Sequence, residues 1–214
     1  MGLLKKKEPE IKHITVKCPN CEKEHQIPMH QAKWRLDGTP DMSIVDMMSA
    51  FVFCECGMLV SYPPFSTCHF TKPSYQTALQ EPDIVLRTLK AWEILTNYAD
   101  GLYTLYAHYY HECGQFEDER MALLQAIDTI KRGGDPSAIT LDASECANAK
   151  FTGTYFMSAE DRLVDLYRRT EQWDKALTTI QELRNQKYMV QPIAKFMVLD
   201  QQERWIRKQD SSVK

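Results

Sequence analysis

Two closely spaced pairs of cysteines, Cys18-Pro19-Asn20-Cys21 and Cys54-Glu55-Cys56-Gly57, constrain this chain more than any other feature. Each pair follows a short strand-like run, ITVK at 14–17 and FVF at 51–53. A tight turn after a strand points both sulfurs of a pair the same way and lets backbone N–H groups donate to them. Two such turns can converge on one tetrahedral ion, so Cys18, Cys21, Cys54 and Cys56 are the candidate ligands and zinc the expected metal. Four protein ligands leave no open coordination position, which makes the site structural, and a unit with so small a core depends on its metal.

The second pair has C-x-C spacing where C-x-x-C is common, and Cys68, His69 and His25 lie near enough in sequence to replace Cys54 or Cys56. Iron in a thiolate cage and free or redox-active thiols are the competing chemistries. A thioredoxin-type use of CPNC requires a helix start within a βαβ pattern, whereas EKEHQIP after Cys21 reads as a strand. The 32 residues between the pairs exceed a minimal ribbon. Ile44, Val45, Met47, Met48 and Phe51 fall at helix-compatible spacing, so a helical insertion between two strand pairs takes up the excess.

Seven cysteines without a secretion signal fit thiols or metal ligands in a reducing compartment better than a disulfide framework. MGLLKKKEPE places charge where a signal peptide carries its apolar segment, and Lys6 stands where a myristoylation signal needs Ser or Thr. No apolar run approaches the roughly 20 residues of a membrane helix, so the expected address is cytoplasmic with no membrane partner. Net charge is -3, and splitting at Tyr75 leaves neither part polarised enough to gain much from phosphate contacts. That argues against nucleic acid as a partner, and Lys5, Lys6 and Lys7 read as a solvated tail. GxSxG, HExxH and phosphate-loop patterns are absent, and the scattered acids nominate no catalytic pair.

After the strand-like region the apolar period changes to 3.6, predicting helices over 82–98, 100–113, 116–132, 142–151, 158–170, 173–186 and 192–208. Pro82 and Pro192 suit first-turn positions and Gly114 a helix C-terminus. RGGDPS at 132–137 reads as an inter-helix turn. SYPPFSTCHFTKPSY at 61–75 is the natural junction, because Pro63, Pro64 and Pro73 resist both helix and central strand. The expectation is an α+β chain: a zinc-ribbon-like head with a helical insertion over 1–75 and an all-α domain over 76–214. His108 and His111, three residues apart, read as helix-surface residues, and Cys146 as a small buried one.

Two helix pairs share offsets. Ala107, Tyr110, Gly114, Phe116, Leu123 and Ala126 in one answer to Val164, Tyr167, Glu171, Trp173, Ala176, Ile180 and Leu183 in the other. Small residues that let helices approach, with an aromatic filling the turn, resemble the tetratricopeptide repeat (TPR). Glu119 stands where the first pair should carry a small residue, and Phe116 and Trp173 are 57 residues apart against a usual spacing of about 34. A plain helical bundle is the alternative.

With KCPNC at 17–21, KWRLDGTPD at 33–41, FCECG at 53–57, AHYYHECGQFEDERMALLQAI at 107–127 and EDRLVDLYRRTEQWDKAL at 160–177, most of the chain resembles an uncharacterised bacterial family. That family is a domain of unknown function with an N-terminal CPxC...CG zinc-binding head and a C-terminal TPR-like helical domain. The resemblance implies metal ligands at Cys18, Cys21 and Cys56, with the fourth position falling at Phe53 unless the loop shortens to use Cys54. It supplies architecture and no activity.

The expected function is therefore non-enzymatic: a zinc-stabilised head joined to a TPR-like domain that binds an unidentified protein or peptide. Tyr103, Tyr106, Tyr109, Arg168 and Arg169 are the residue types that make binding hot spots when exposed, although tyrosines of such helices also pack between them. The alternatives are a zinc-thiolate redox sensor and, against the charge balance, a nucleic-acid-binding zinc protein.

Overall fold

A computed structural model of the chain describes residues 11–29, 42–96, 102–131, 159–185 and 192–212. The predicted helix at 142–151, the 132–137 turn, Cys146, Lys5, Lys6, Lys7 and the 33–41 motif lie outside the described residues. The fold is mixed, with two small antiparallel sheets followed by helices. Its described residues divide into two compact units, 11–29 with 45–96 and 42–44 with 102–212.

In the first unit β1 (Lys12–Lys17) pairs with β2 (Glu24–Met29), in a register that sets Val16 opposite His25 and Ile14 opposite Ile27. Alternation along these strands turns Val16 and Ile27 inward. The predicted insertion contains α1 (Ile44–Met48), after which β3 (Val52–Phe53) and β4 (Leu59–Val60) form a second hairpin. A short 3-10 turn at Thr67–His69 leads into α2 (Pro73–Ala78) and α3 (Ile84–Leu95). Pro73 opens α2 at its first turn, where a missing N–H costs nothing. Asp83 caps α3, accepting the N–H groups of Val85 and Leu86 at 2.8 and 2.9 Å, so Pro82 stands just before the cap instead of inside the helix.

α2 begins inside the proline-rich stretch and α3 lies beyond it, yet both pack into this unit. Trp92 of α3 lies 4.6 Å from the Phe51 ring and 6.2 Å from Phe65, and Ala91, Ile94 and Leu95 join the same core as Met58, Leu59 and Val60. A pair of two-stranded hairpins cannot enclose a core unaided, and α2 with α3 supplies the missing cover.

The second unit is built from α4 (Tyr103–Glu112), α5 (Phe116–Lys131), α6 (Ala159–Arg169), α7 (Trp173–Asn185) and α8 (Pro192–Arg207). Ala107, Leu123, Ala126, Ile127, Leu163 and Leu166 form one buried cluster, and Val164, Ala176, Ile180, Leu183, Leu199 and Ile206 another. The two helical hairpins end their first helices identically. Gln115 N–H donates to Tyr110 C=O at 2.9 Å and Gln172 N–H to Tyr167 C=O at 2.8 Å, with Gly114 (φ 69°) and Glu171 (φ 59°) in the left-handed position between. The end of α8 repeats the device: Asp210 N–H donates to Trp205 C=O at 2.9 Å around Gln209 (φ 52°).

The expectation of exposed arginines is overturned. Arg168 is fully buried and the Arg169 side chain is only 12% exposed. Arg168 donates to Asp165 Oδ1 at 2.7 Å, to Gln202 Oε1 at 3.2 Å and to the Asp210 carbonyl at 2.8 Å, with its guanidinium over the Trp205 ring. Arg169 donates to Asp165 Oδ2 at 2.7 Å and Glu119 Oε1 at 2.8 Å. A charged pair in a helix's last turn ordinarily faces water, but carboxylates three and four residues away and on α5 compensate these charges inside. Tyr103, Tyr106 and Tyr110 are half-buried against the first cluster of this unit, and Tyr109 packs edge-on to Tyr110.

His108 also departs from a surface role. It is buried, with Nε2 3.1 Å from the Met42 carbonyl and 3.2 Å from Glu112 Oε1, while Glu112 Oε1 accepts the Ile44 N–H at 2.9 Å. Thus α4 holds residues 42–44 to this unit. His111 Nδ1 lies 3.2 Å from Glu119 Oε1.

Candidate metal centre

Two knuckles carry the four cysteines. In the first, between β1 and β2, Cys18 N–H donates to Lys23 C=O and Glu22 N–H to Cys18 C=O, both at 2.8 Å. In the second, between β3 and β4, Cys54 N–H donates to Met58 C=O and Gly57 N–H to Cys54 C=O, again both at 2.8 Å. The hydrogen-bonded frame is the same with one residue fewer, which is how C-x-C takes the place of C-x-x-C. A left-handed residue closes each turn, Glu22 at φ 63° and Gly57 at φ 87°.

Cys18 Sγ lies 3.6 Å from Cys56 Sγ, and Cys21 Sγ lies 3.4 Å from Cys54 Sγ. All four sulfurs fall within 4.8 Å of one another. A tetrahedral ion with metal–sulfur bonds of about 2.3 Å sets its sulfurs about 3.8 Å apart. The observed separations match that and exceed the roughly 2 Å of a disulfide, so the thiols are free. Four cysteines in this arrangement could hold a metal ion.

Backbone donors reinforce the fit. Each sulfur accepts an N–H from two residues further on: Asn20 to Cys18, Lys23 to Cys21, Cys56 to Cys54 and Met58 to Cys56. Donors aimed at all four sulfurs stabilise thiolates, the form a metal requires. Burial is the largest influence on Cys18 and holds its thiol above the ordinary range. Burial also opposes ionisation of Cys56, but the Asn20 side chain, the Met58 N–H and the neighbouring thiols outweigh it and bring that thiol down to about 6. The Lys23 ammonium pairs with the Glu55 carboxylate from one knuckle to the other.

Tyr75, fully buried on α2, braces the second knuckle. Its hydroxyl donates to the Gly57 carbonyl at 3.0 Å and accepts the Leu59 N–H at 2.8 Å, while its ring packs edge-on to Phe70. Burial pushes the phenol up to about 12. A β-carbon on Gly57 would sit 3.5 Å from Leu79 Cδ1, so α2 covers this turn closely.

Cys18, Cys21, Cys54 and Cys56 are therefore brought together, whereas Cys68, His69 and His25 do not join the set. Cys68 lies exposed on the 3-10 turn. Tyr75, Asn20 and Lys23 were not legible as site residues. The only sequence hint was an aromatic two residues after a helix-opening proline, within a stretch that reads as a junction.

No family model, curated protein or solved structure matches this chain. The functional reading thus stands on the sulfur geometry and on the helical hairpins. No helix among the described residues is long and apolar enough to cross a membrane.

Proposed function

We infer that the four cysteines bind one zinc ion that staples the N-terminal head, and that the second unit is a TPR-like domain binding a protein or peptide. The observation that carries the first part is the approach of four sulfurs to tetrahedral spacing on two knuckles, each sulfur with its own N–H donor. Zinc suits an all-thiolate tetrahedral cage, and four protein ligands leave no position for water or substrate, so the role is structural and not enzymatic. When bound, the ion supplies only cross-linking strength: Cys18 and Cys21 tie the β1–β2 turn to Cys54 and Cys56 in the β3–β4 turn.

The TPR-like reading is supported by the paired caps at Tyr110–Gly114 and Tyr167–Glu171, followed at the same offset by Phe116 and Trp173. Burial of Ala107, Ala126 and Ala176 fits closely packed helical hairpins.

Elemental analysis of untagged protein purified without added metal tests the head. About one zinc per chain, lost in the Cys18→Ser, Cys21→Ser double variant, is expected; iron or no metal overturns the assignment. Selection of a displayed peptide library on the full chain tests the second unit. Enriched peptides whose binding shifts the NMR signals of α4 and α6 are expected, and the absence of any enriched peptide would overturn the interaction role.

A further inference from the structure

We propose that the four-sulfur site is a reversible peroxide-responsive switch whose disulfides form between the knuckles, Cys21 with Cys54 and Cys18 with Cys56. The inference rests on the zinc reading and adds regulation of that site. Its basis is an asymmetry of exposure: Cys21 is exposed, Cys56 half-buried, and Cys18 and Cys54 are buried. An oxidant in solution reaches Cys21 first because it is the exposed sulfur of the four, and a cysteine that ligates zinc is already a thiolate. Cys54 Sγ waits 3.4 Å away on the opposite knuckle, and Cys18 Sγ and Cys56 Sγ are likewise matched at 3.6 Å. Each pair needs to close by only about 1.5 Å to reach bonding distance. A Cys54–Cys56 bond would instead bridge a single intervening residue in a turn already held by the Gly57-to-Cys54 hydrogen bond.

The chemistry balances with a hydroperoxide as oxidant. The Cys21 thiolate attacks one peroxide oxygen, the O–O bond breaks, and the departing hydroxide takes a proton from solvent to become water. Cys21 is then a sulfenic acid. The Cys54 thiolate attacks the Cys21 sulfur, the S–S bond forms, the S–O bond breaks, and the second oxygen leaves as hydroxide and becomes water. Two thiolates have lost two electrons and the peroxide has gained them. A second peroxide does the same for Cys18 and Cys56. With every ligand consumed the ion is released, yet the knuckles stay tied, because each disulfide joins the β1–β2 turn to the β3–β4 turn. The oxidised head keeps its fold, and a dithiol with zinc returns it to the starting state.

The test uses the full chain with Cys68, Cys113 and Cys146 replaced by Ser, which leaves only the four cluster thiols. Metal content is measured first. Hydrogen peroxide is then added with a colorimetric zinc chelator present, and disulfides are mapped by mass spectrometry. The expected result is release of about one zinc per chain, cross-knuckle peptides Cys21–Cys54 and Cys18–Cys56, and recovery of bound zinc after dithiothreitol and zinc are supplied. Retention of zinc through peroxide treatment overturns this inference alone, as does release with pairing inside each knuckle or irreversible loss of the thiols. A protein that holds no metal before peroxide overturns the zinc reading itself, and the switch with it.

Discussion

Arg169 Nη2 donates to Glu119 Oε1 at 2.8 Å, which joins α6 to α5 at the one position where the two helical hairpins differ most in chemistry. Three residues past the turn aromatic, the first hairpin carries Glu119 and the second carries Ala176, and both are almost fully buried. The carboxylate occupies a slot made for a small residue because Arg169 and His111 meet its Oε1; its Oε2 is buried with no hydrogen-bond partner among the described residues.

Glu119→Ala is therefore expected to destabilise the second unit by about 1–3 kcal/mol, since it deprives Arg169 of one of two carboxylates. The double variant Glu119→Ala, Arg169→Leu is expected to cost less than the sum of the single changes, because it removes both buried charges together. Urea unfolding followed by circular dichroism measures both, and strict additivity would contradict the coupling.

The three matching helix ends predict gains from glycine. Glu171 and Gln209 hold left-handed backbone that Gly114 holds without strain. Glu171→Gly and Gln209→Gly are each expected to stabilise the unit by roughly 0.5–1 kcal/mol, and Gly114→Ala to destabilise it by about 1 kcal/mol. Thermal melts of the three variants give the signs directly.

Tyr75→Phe keeps the ring against Phe70 but leaves the Gly57 carbonyl and the Leu59 N–H without the hydroxyl between them. A loss of about 1–3 kcal/mol in the first unit is expected, with zinc affinity weakened roughly 10–100-fold in chelator competition. Unchanged affinity would mean that the knuckle keeps its shape unaided.

The same phenol sets an alkaline limit. Its folded value of about 12 lies above the ordinary value of 10, so the neutral form is favoured by folding. The stability it confers is complete below pH 10 and is lost as pH rises toward 12. Stability of the first unit measured between pH 9 and 12 should fall in the native chain, and the part of that fall due to Tyr75 should vanish in Tyr75→Phe.

Chelation separates the two units. The first has a small core of β-hairpin and helix residues around the knuckles, and the second has two apolar clusters of its own. A strong zinc chelator under reducing conditions is expected to unfold the first unit while most helical ellipticity survives. Simultaneous loss of both signals would show that the second unit does not stand on its own core.

Local pattern carried much of this fold. The 3.6 period placed α4, α5, α6, α7 and α8 within a few residues of their observed ends, helped by local signals such as Gly114 after α4 and Pro192 at the start of α8. The cysteine spacing placed two turns after two strands, because a knuckle is a local hydrogen-bonded ring. The short α2 went unread, since six residues beside three prolines give no periodic signal.

What only the tertiary structure decided depends on partners distant in the chain. Which side chains join Cys18 and Cys21 was open among Cys54, Cys56, Cys68, His69 and His25 until the one-residue-shorter second turn set Cys54 opposite Cys21 and Cys56 opposite Cys18. Tyr75 became a brace through hydrogen bonds to residues 16 and 18 positions away. Arg168 and Arg169 read as surface charge, and they are buried because Glu119 on α5, Gln202 on α8 and the Asp210 carbonyl just past α8 converge on them. Periodicity and spacing report what a residue does to its own turn of chain. Burial of charge is settled by whether a compensating group arrives from elsewhere, and that is a property of the packed fold.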